Sequence, residues 1–187
     1  MLTFTKVSFP VIVAWCMVTF PQAALVEEKT VVSTKPVLVL SGADSRVDKP
    51  AYHRVTSQQA WDNLWLSHLG KTEADKFREH IPIVTIDFEK NIVIAIFQGT
   101  STNSRGLQIT SVDEAKDFIT LCFQGMSYQT AGGLGGGGGS VQVTPYAFVV
   151  VPKSSKVIVV KEDIQGLKDK PPEWKERARL RAEESRG

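Results

Sequence analysis

The chain has 187 residues, of which 42% are hydrophobic and 22% charged, with a formal net charge of +2. That length holds one domain with a sizeable core rather than two. The near-balanced charge, with no basic stripe interleaved with aromatics ahead of the C-terminal tail, lacks the electrostatic footprint of a nucleic-acid-binding protein.

The N-terminus has the three-part layout of a secretory signal. Lys6 is the only charge before Glu27, an apolar run spans residues 11–20, and small residues stand at Ala23 and Ala24. The run is shorter than the roughly 20 helical residues that cross a bilayer core, and Pro10 and Pro21 bracket it. Residues 1–24 are therefore read as a signal peptide, cleaved near Ala24 or Leu25 during export to the periplasm or the extracellular space. Trp15 precedes Cys16, whereas a lipoprotein signal wants a small residue there, so lipidation is not expected. Cleavage removes Cys16 and leaves Cys122 as the one cysteine of the mature chain. The domain must then hold together by packing, without an internal disulfide. Cys122 lies in an apolar, strand-like run over 118–123 and reads as a core thiol.

Next come residues 30–40, rich in valine and broken by Pro36, which predict one edge strand or two short ones. The polar stretch 41–54 reads as a loop. The period then changes. Ala60, Trp61, Leu64, Trp65 and His68 or Leu69 recur at helical spacing, with Thr56 or Ser57 available as the N-cap and Gly70 placed to end the helix. A second short helix is expected over 73–80. Residues 83–88 and 91–98 predict two strands joined at Glu89, Lys90 and Asn91. The second is apolar at nearly every position, as a central strand covered on both faces would be. A hairpin is expected from 106–112 and 117–124, and another from 141–151 and 156–161 with its turn at 152–155. After Gln165 the composition turns polar, and residues 173–184 predict a charged helix whose large apolar residues are Trp174 and Leu180.

Residues 131–140 read Ala-Gly-Gly-Leu-Gly-Gly-Gly-Gly-Gly-Ser. A GxGxxG spacing falls within the run, but the run leads into a strand-like segment. A dinucleotide fingerprint must open a helix. A flexible connection between strands is the better reading. His53, His68 and His80 are too scattered to show metal-ligand spacing. There is no Gly-x-Ser-x-Gly to mark a nucleophilic serine. Asp87 and Glu89 flank Phe88 and read as a solvated turn rather than a catalytic pair. No catalytic, cofactor-binding or metal-binding residue is assigned.

The central region resembles the C-terminal domain family of PrcB-like proteins, named for a subunit of a bacterial surface protease complex. The resemblance is carried in order by four stretches: Trp61-Asp62-Asn63-Leu64-Trp65, Thr85-Ile86-Asp87-Phe88-Glu89-Lys90, Val93-Ile94-Ala95-Ile96-Phe97-Gln98-Gly99, and the segment from Thr144 to Lys153. Where that family has a Thr-Gly-Gly-Tyr-like turn, this chain has Thr102-Asn103-Ser104-Arg105-Gly106-Leu107. The resemblance implies an extracytoplasmic accessory module that binds or stabilises another protein, and it carries over no catalytic residue.

The sequence thus predicts an α+β fold, mainly antiparallel sheet in a sandwich-like arrangement. One helix packs on it and a helical tail follows. The parts are a signal peptide (1–24), an N-terminal strand and loop (25–55), a PrcB-like β-rich domain (56–165) and a charged tail (166–187). The expected function is that of an exported, non-enzymatic accessory domain. It would have a protein partner in the cell envelope, with no nucleic acid, no cofactor and no membrane span after signal removal. One expected route to that partner is an open sheet edge near Tyr146, where Pro145 reads as an edge or bulge residue. The alternative is a secreted module for a small ligand or carbohydrate, using Tyr128 and Tyr146. A hydrolase ranks third.

Overall fold

The computed structural model describes residues 31–70, 85–130, 139–166 and 170–182. In chain order its elements are β1 (Val32–Ser33), β2 (Leu38–Gly42), β3 (Ala51–Val55), α1 (Gln58–Leu69), β4 (Asn91–Phe97), β5 (Ser101–Thr102), β6 (Ser104–Glu114), β7 (Phe118–Ser127), β8 (Gln142–Val143), β9 (Tyr146–Pro152), β10 (Val157–Asp163) and β11 (Trp174–Leu180). A four-stranded sheet runs β2-β9-β4-β3, a five-stranded sheet runs β1-β6-β7-β10-β11, and β5 pairs with β8. The pairings are antiparallel except β7–β10, which is parallel. The fold is β-rich and mainly antiparallel, as the sequence predicts, and the described residues hold one helix.

Strand alternation explains the layering. In β4, Ile92, Ile94 and Ile96 face the five-stranded sheet, where they meet Leu121 and Phe123 of β7 and Ile158 and Val160 of β10. The residues between them, Val93, Ala95 and Phe97, face α1 and its tryptophans. Strand β9 divides the same way, Val149 and Val151 to one side, Phe148 and Val150 to the other. Successive side chains on a strand point to opposite faces. A strand covered on both faces therefore has no polar position to spare, and every residue from Ile92 to Phe97 is 1% exposed or less.

Helix α1 forms where the period predicts it. Ser57 is extended at the N-cap, and its hydroxyl accepts from the Ala60 N–H at 3.3 Å. Gly70 caps the C-terminus, its N–H donating to the Leu66 carbonyl at 2.8 Å. Trp61, Leu64, Trp65 and His68 are the buried residues of the helix, three and four apart on one face. Trp61, fully buried, meets Trp65 at 5.4 Å and Phe148 at 5.2 Å, both edge-to-face.

Several expectations are corrected. The tail over 173–184 is not helical where it is described. Residues 174–180 form β11, which pairs antiparallel with β10. Its Glu, Lys and Arg content favours helix, but an isolated helix of that length is marginal in water. The open side of β10 instead offers a ladder, and Ala178 and Leu180 pack against the core at alternate positions. Strands β9 and β10 do not form a hairpin. Both sides of β9 are occupied, by β2 and β4, so the 153–156 link carries the chain across to the other sheet, where β10 lies between β7 and β11. For the same reason Tyr146 and Pro145 do not mark a sheet edge. The polar stretch 41–54 is not all loop, because β3 pairs along β4 from Ala51 to Val55. Of the strand expected over 83–88, residues 85–87 are irregular and Phe88, Glu89 and Lys90 form a turn. The Asp87 carboxylate accepts from the Glu89 N–H at 3.1 Å, a local bond that competes with a ladder. The signal peptide, the helix expected over 73–80 and the glycine run at 131–138 lie outside the described residues.

Residues 32–42 behave as one strand that changes sheets. As β1 they flank β6 at Glu114 and Asp113, and after Pro36 they flank β9 as β2. Corners between packed sheets are made in this way. The crossing is fastened by Ser41, whose hydroxyl donates to the Leu107 carbonyl at 2.6 Å and accepts from the Leu107 N–H at 2.9 Å. Gly106 makes the approach possible. Its φ is +124°, and a Cβ there would lie 2.8 Å from Ser41 Oγ and 3.0 Å from the Gly42 carbonyl oxygen.

Candidate functional site

Of the two described histidines, His53 and His68, His68 has the surroundings closest to chemistry; His80 lies outside the described residues. Helix α1 aims it into an aromatic layer, with the Tyr146 ring centroid 4.1 Å away, Phe148 at 5.2 Å and Trp65 at 5.3 Å. Its Nδ1 is 3.0 Å from Ser45 Oγ. This is a serine–histidine pair, but it is sealed: His68 is 1% exposed and Ser45 9%. Ser45 Oγ also accepts from the Val47 N–H at 3.1 Å, and the Arg46 N–H donates to the His68 carbonyl at 2.8 Å. These bonds tie the 43–48 loop to the end of the helix. Burial pushes the His68 pKa down to about 4, so the ring is neutral at pH 7. A buried, neutral imidazole bonded to a loop serine orients that loop.

The other sequence candidates separate in space and in role. Cys122 is buried in β7, and burial pushes its thiol pKa up, the opposite of what a nucleophilic thiol needs. Asp87 pairs with Lys90 at 3.1 Å in the exposed turn, and that bond lowers its pKa. Glu89 gives the same turn its backbone N–H, not its carboxylate. Tyr146 belongs to the aromatic layer, and burial, then the nearby Asp44 charge, raises its pKa. The Arg105 guanidinium lies 5.5 Å from the centre of the Tyr128 ring. The two tyrosines therefore have separate partners. Among the described residues, no group of three or more His, Cys, Asp or Glu is placed to hold a metal ion, and no helix is long and apolar enough to cross a membrane.

The feature that sequence reasoning missed is an incomplete sheet edge. β1 accompanies β6 only at Asp113 and Glu114, with one further bond from the Thr34 N–H to the Val112 carbonyl at 2.7 Å. The chain then leaves for the other sheet, and the next tie is Ser41 on Leu107. Between Leu107 and Val112 no described strand lies along this side of β6. A cleft of about 390 Å³ opens there, with Pro36 and Val39 on one wall and Ile109, Thr110 and Ser111 on the other. Beside it Val31, Val32, Val37 and Val39 are 40% to 62% exposed. The valine-rich composition of 30–40 was legible. That its side chains face solvent follows only from where the strand changes sheets.

No protein-family model, curated protein or solved structure matches the chain. The functional reading therefore rests on the residues and their geometry.

Proposed function

We propose that this chain is an exported, non-enzymatic accessory domain that binds a partner protein of the cell envelope. An extended, apolar segment of that partner would dock along the open edge of β6 and β2. The supporting observation is the coincidence of four exposed valines with a strand edge along which no described strand lies. An edge supplies backbone donors and acceptors to an incoming strand, and alternate apolar pockets select its side chains. The residue pattern shared with PrcB-like accessory modules supports the same reading, as does the signal-like N-terminus for export. The packed state of Tyr146 argues against an aromatic platform for sugars.

Photo-crosslinking in cells that make the protein natively tests this. A crosslinking residue at Val39 is expected to trap one partner protein, and the same residue at the exposed Lys175 of β11, at the opposite end of the five-stranded sheet, is expected to trap none. A partner trapped equally from both positions, or from neither, overturns the edge as the docking site. Intact-mass measurement of the native protein tests export separately. A mass that includes residues 1–20 is inconsistent with a cleaved signal.

A further inference from the structure

A second cleft, of about 440 Å³, lies where the end of β3, the start of β4 and the 153–156 link converge, with Ala182 on its rim. Arg54 is part-buried, and its guanidinium donates to the Lys156 carbonyl at 2.8 Å and to the Ser154 carbonyl. Its Nε is buried with no hydrogen-bond partner. Lys153 lines the same cleft, and its ammonium donates to the Phe88 carbonyl at 3.0 Å. The ion pairs among the described residues involve neither of them; the neighbouring Lys156 is neutralised by Glu114 at 2.7 Å. Thr56, Ser154 and Ser155 add hydroxyls to the wall.

Carbonyl oxygens satisfy donors but do not neutralise charge. A guanidinium partly withdrawn from water without a counter-charge is held at some cost, which a bound anion lowers. Arginine also presents a planar fork of donors that matches an oxyanion, and lysine adds a mobile point charge. We propose that this cleft is an oxyanion site, taking a carboxylate or phosphate group between Arg54 and Lys153, with the Thr56 and Ser155 hydroxyls as further ligands. It is separate from the valine edge and does not depend on that reading. The group can come from a free small anion or from an acidic side chain. In sequence, Glu183 and Glu184 directly follow Ala182, so the chain itself carries one such source.

The test is titration of the mature full-length protein with inorganic phosphate, acetate and an acetyl-Glu-Glu-amide peptide. Ionic strength is held constant with chloride, and binding is followed by NMR at the Arg54 Nε–H and the Thr56 and Ser155 amides. The same titrations are run on a Glu183→Gln/Glu184→Gln variant. Saturable shifts confined to the cleft are expected for at least one probe, in one background or both. Phosphate alone identifies an inorganic or phosphoryl source, and the carboxylate probes alone an acidic residue. Binding only in the double variant identifies the chain's own carboxylates as the occupant. Lys153→Ala is expected to weaken binding about tenfold, and Arg54→Gln to abolish it. If Arg54→Gln fails to fold, because Arg54 also holds the 153–156 link, Lys153→Glu decides: loss of binding with the fold intact upholds the site. Absence of saturable shifts in both backgrounds, equal shifts from chloride, or undiminished binding in Lys153→Glu overturns it.

Discussion

The two sides of this sandwich are finished in different ways. On one side β3 and β11, the end strands of the two sheets, approach each other, and a buried carboxylate of β10 ties β11 to the end of β4. Glu162, buried in β10, accepts from Gln98 Nε2 at 2.9 Å and pairs with Arg177 of β11 at 2.5 Å. Burial, and then the Glu162 charge, raises the pKa of the adjacent Tyr52 of β3. Along β11 itself stand Lys175, Arg177 and Arg179, and charged side chains on an edge strand discourage pairing with another chain. On the other side, β1 and β2 cross between the sheets and leave part of β6 without a neighbour among the described residues. That margin carries four exposed valines where the opposite one carries lysine, arginine and glutamate beside one exposed tryptophan, Trp174. One edge is thus protected and the other left adhesive, a difference expected if the second edge has a partner and unexplained if both merely face solvent.

Neither edge dominates stability, and the largest expected effect sets that scale. Trp61 fills the layer between α1 and the four-stranded sheet. Its truncation to alanine is expected to cost about 3–5 kcal/mol, the usual range for a large buried aromatic. Chemical denaturation of Trp61→Ala against the parent measures it. A midpoint near the parent's means that the helix is not the structural lid described here.

The aromatic layer also makes stability depend on pH, with a sign that can be worked out. The His68 pKa falls from an ordinary 6.5 to about 4 on folding. Above pH 6.5 the ring is neutral in both states. Between 6.5 and about 4 the unfolded chain takes up a proton that the folded chain refuses, so stability falls as pH falls. Below about 4 both states are protonated and this group contributes no further loss. The whole excursion is up to about 3 kcal/mol. Denaturation at pH 7, 5.5 and 4.5 is expected to show the decline, and His68→Phe to flatten it. An equal decline in His68→Phe assigns the effect to the carboxylates instead.

At the protected edge, Arg177→Met leaves the Glu162 carboxylate with Gln98 alone. The expected loss is about 2 kcal/mol, below the range for a fully buried pair because the Arg177 side chain is 31% exposed. Adding Glu162→Gln removes the orphaned charge and is expected to recover part of it. A silent Arg177→Met would mean that the charges protect the edge without holding it closed.

What the sequence made legible follows from physics that is local. The α1 period, its Ser57 and Gly70 ends, and the two-sided apolar runs of β4 and β9 each show in a few consecutive residues. The β6–β7 hairpin is local too. β11 was misread because helix propensity and strand pairing compete there, and the deciding partner, β10, lies outside the window that propensity sees. β3 was missed because its Tyr52, His53 and Arg54 look like a loop until β4 is beside them. The open edge of β6 and the Arg54 cleft are tertiary facts. Each depends on where the chain crosses between sheets, at Pro36 and over 153–156; the breaks have local signatures, but which strand the chain joins after them has none.

The smallest expected change in stability is the most informative about the adhesive edge. Val37 and Val39 are 62% and 40% exposed, so Val37→Lys and Val39→Lys remove little buried surface. Exposed substitutions of this kind usually stay within about 0.5 kcal/mol. They would, however, give the open edge the same defence that β11 already has, since a lysine there must be desolvated when an apolar strand docks. The double variant is therefore expected to unfold with the parent and yet lose the adduct trapped from a crosslinker at Thr110, on the opposite wall of the cleft. Loss of both stability and adduct would mean that the valines pack within the domain after all. Retention of both would mean that partner recognition lies elsewhere on the molecule and that the asymmetry between the two edges has another cause.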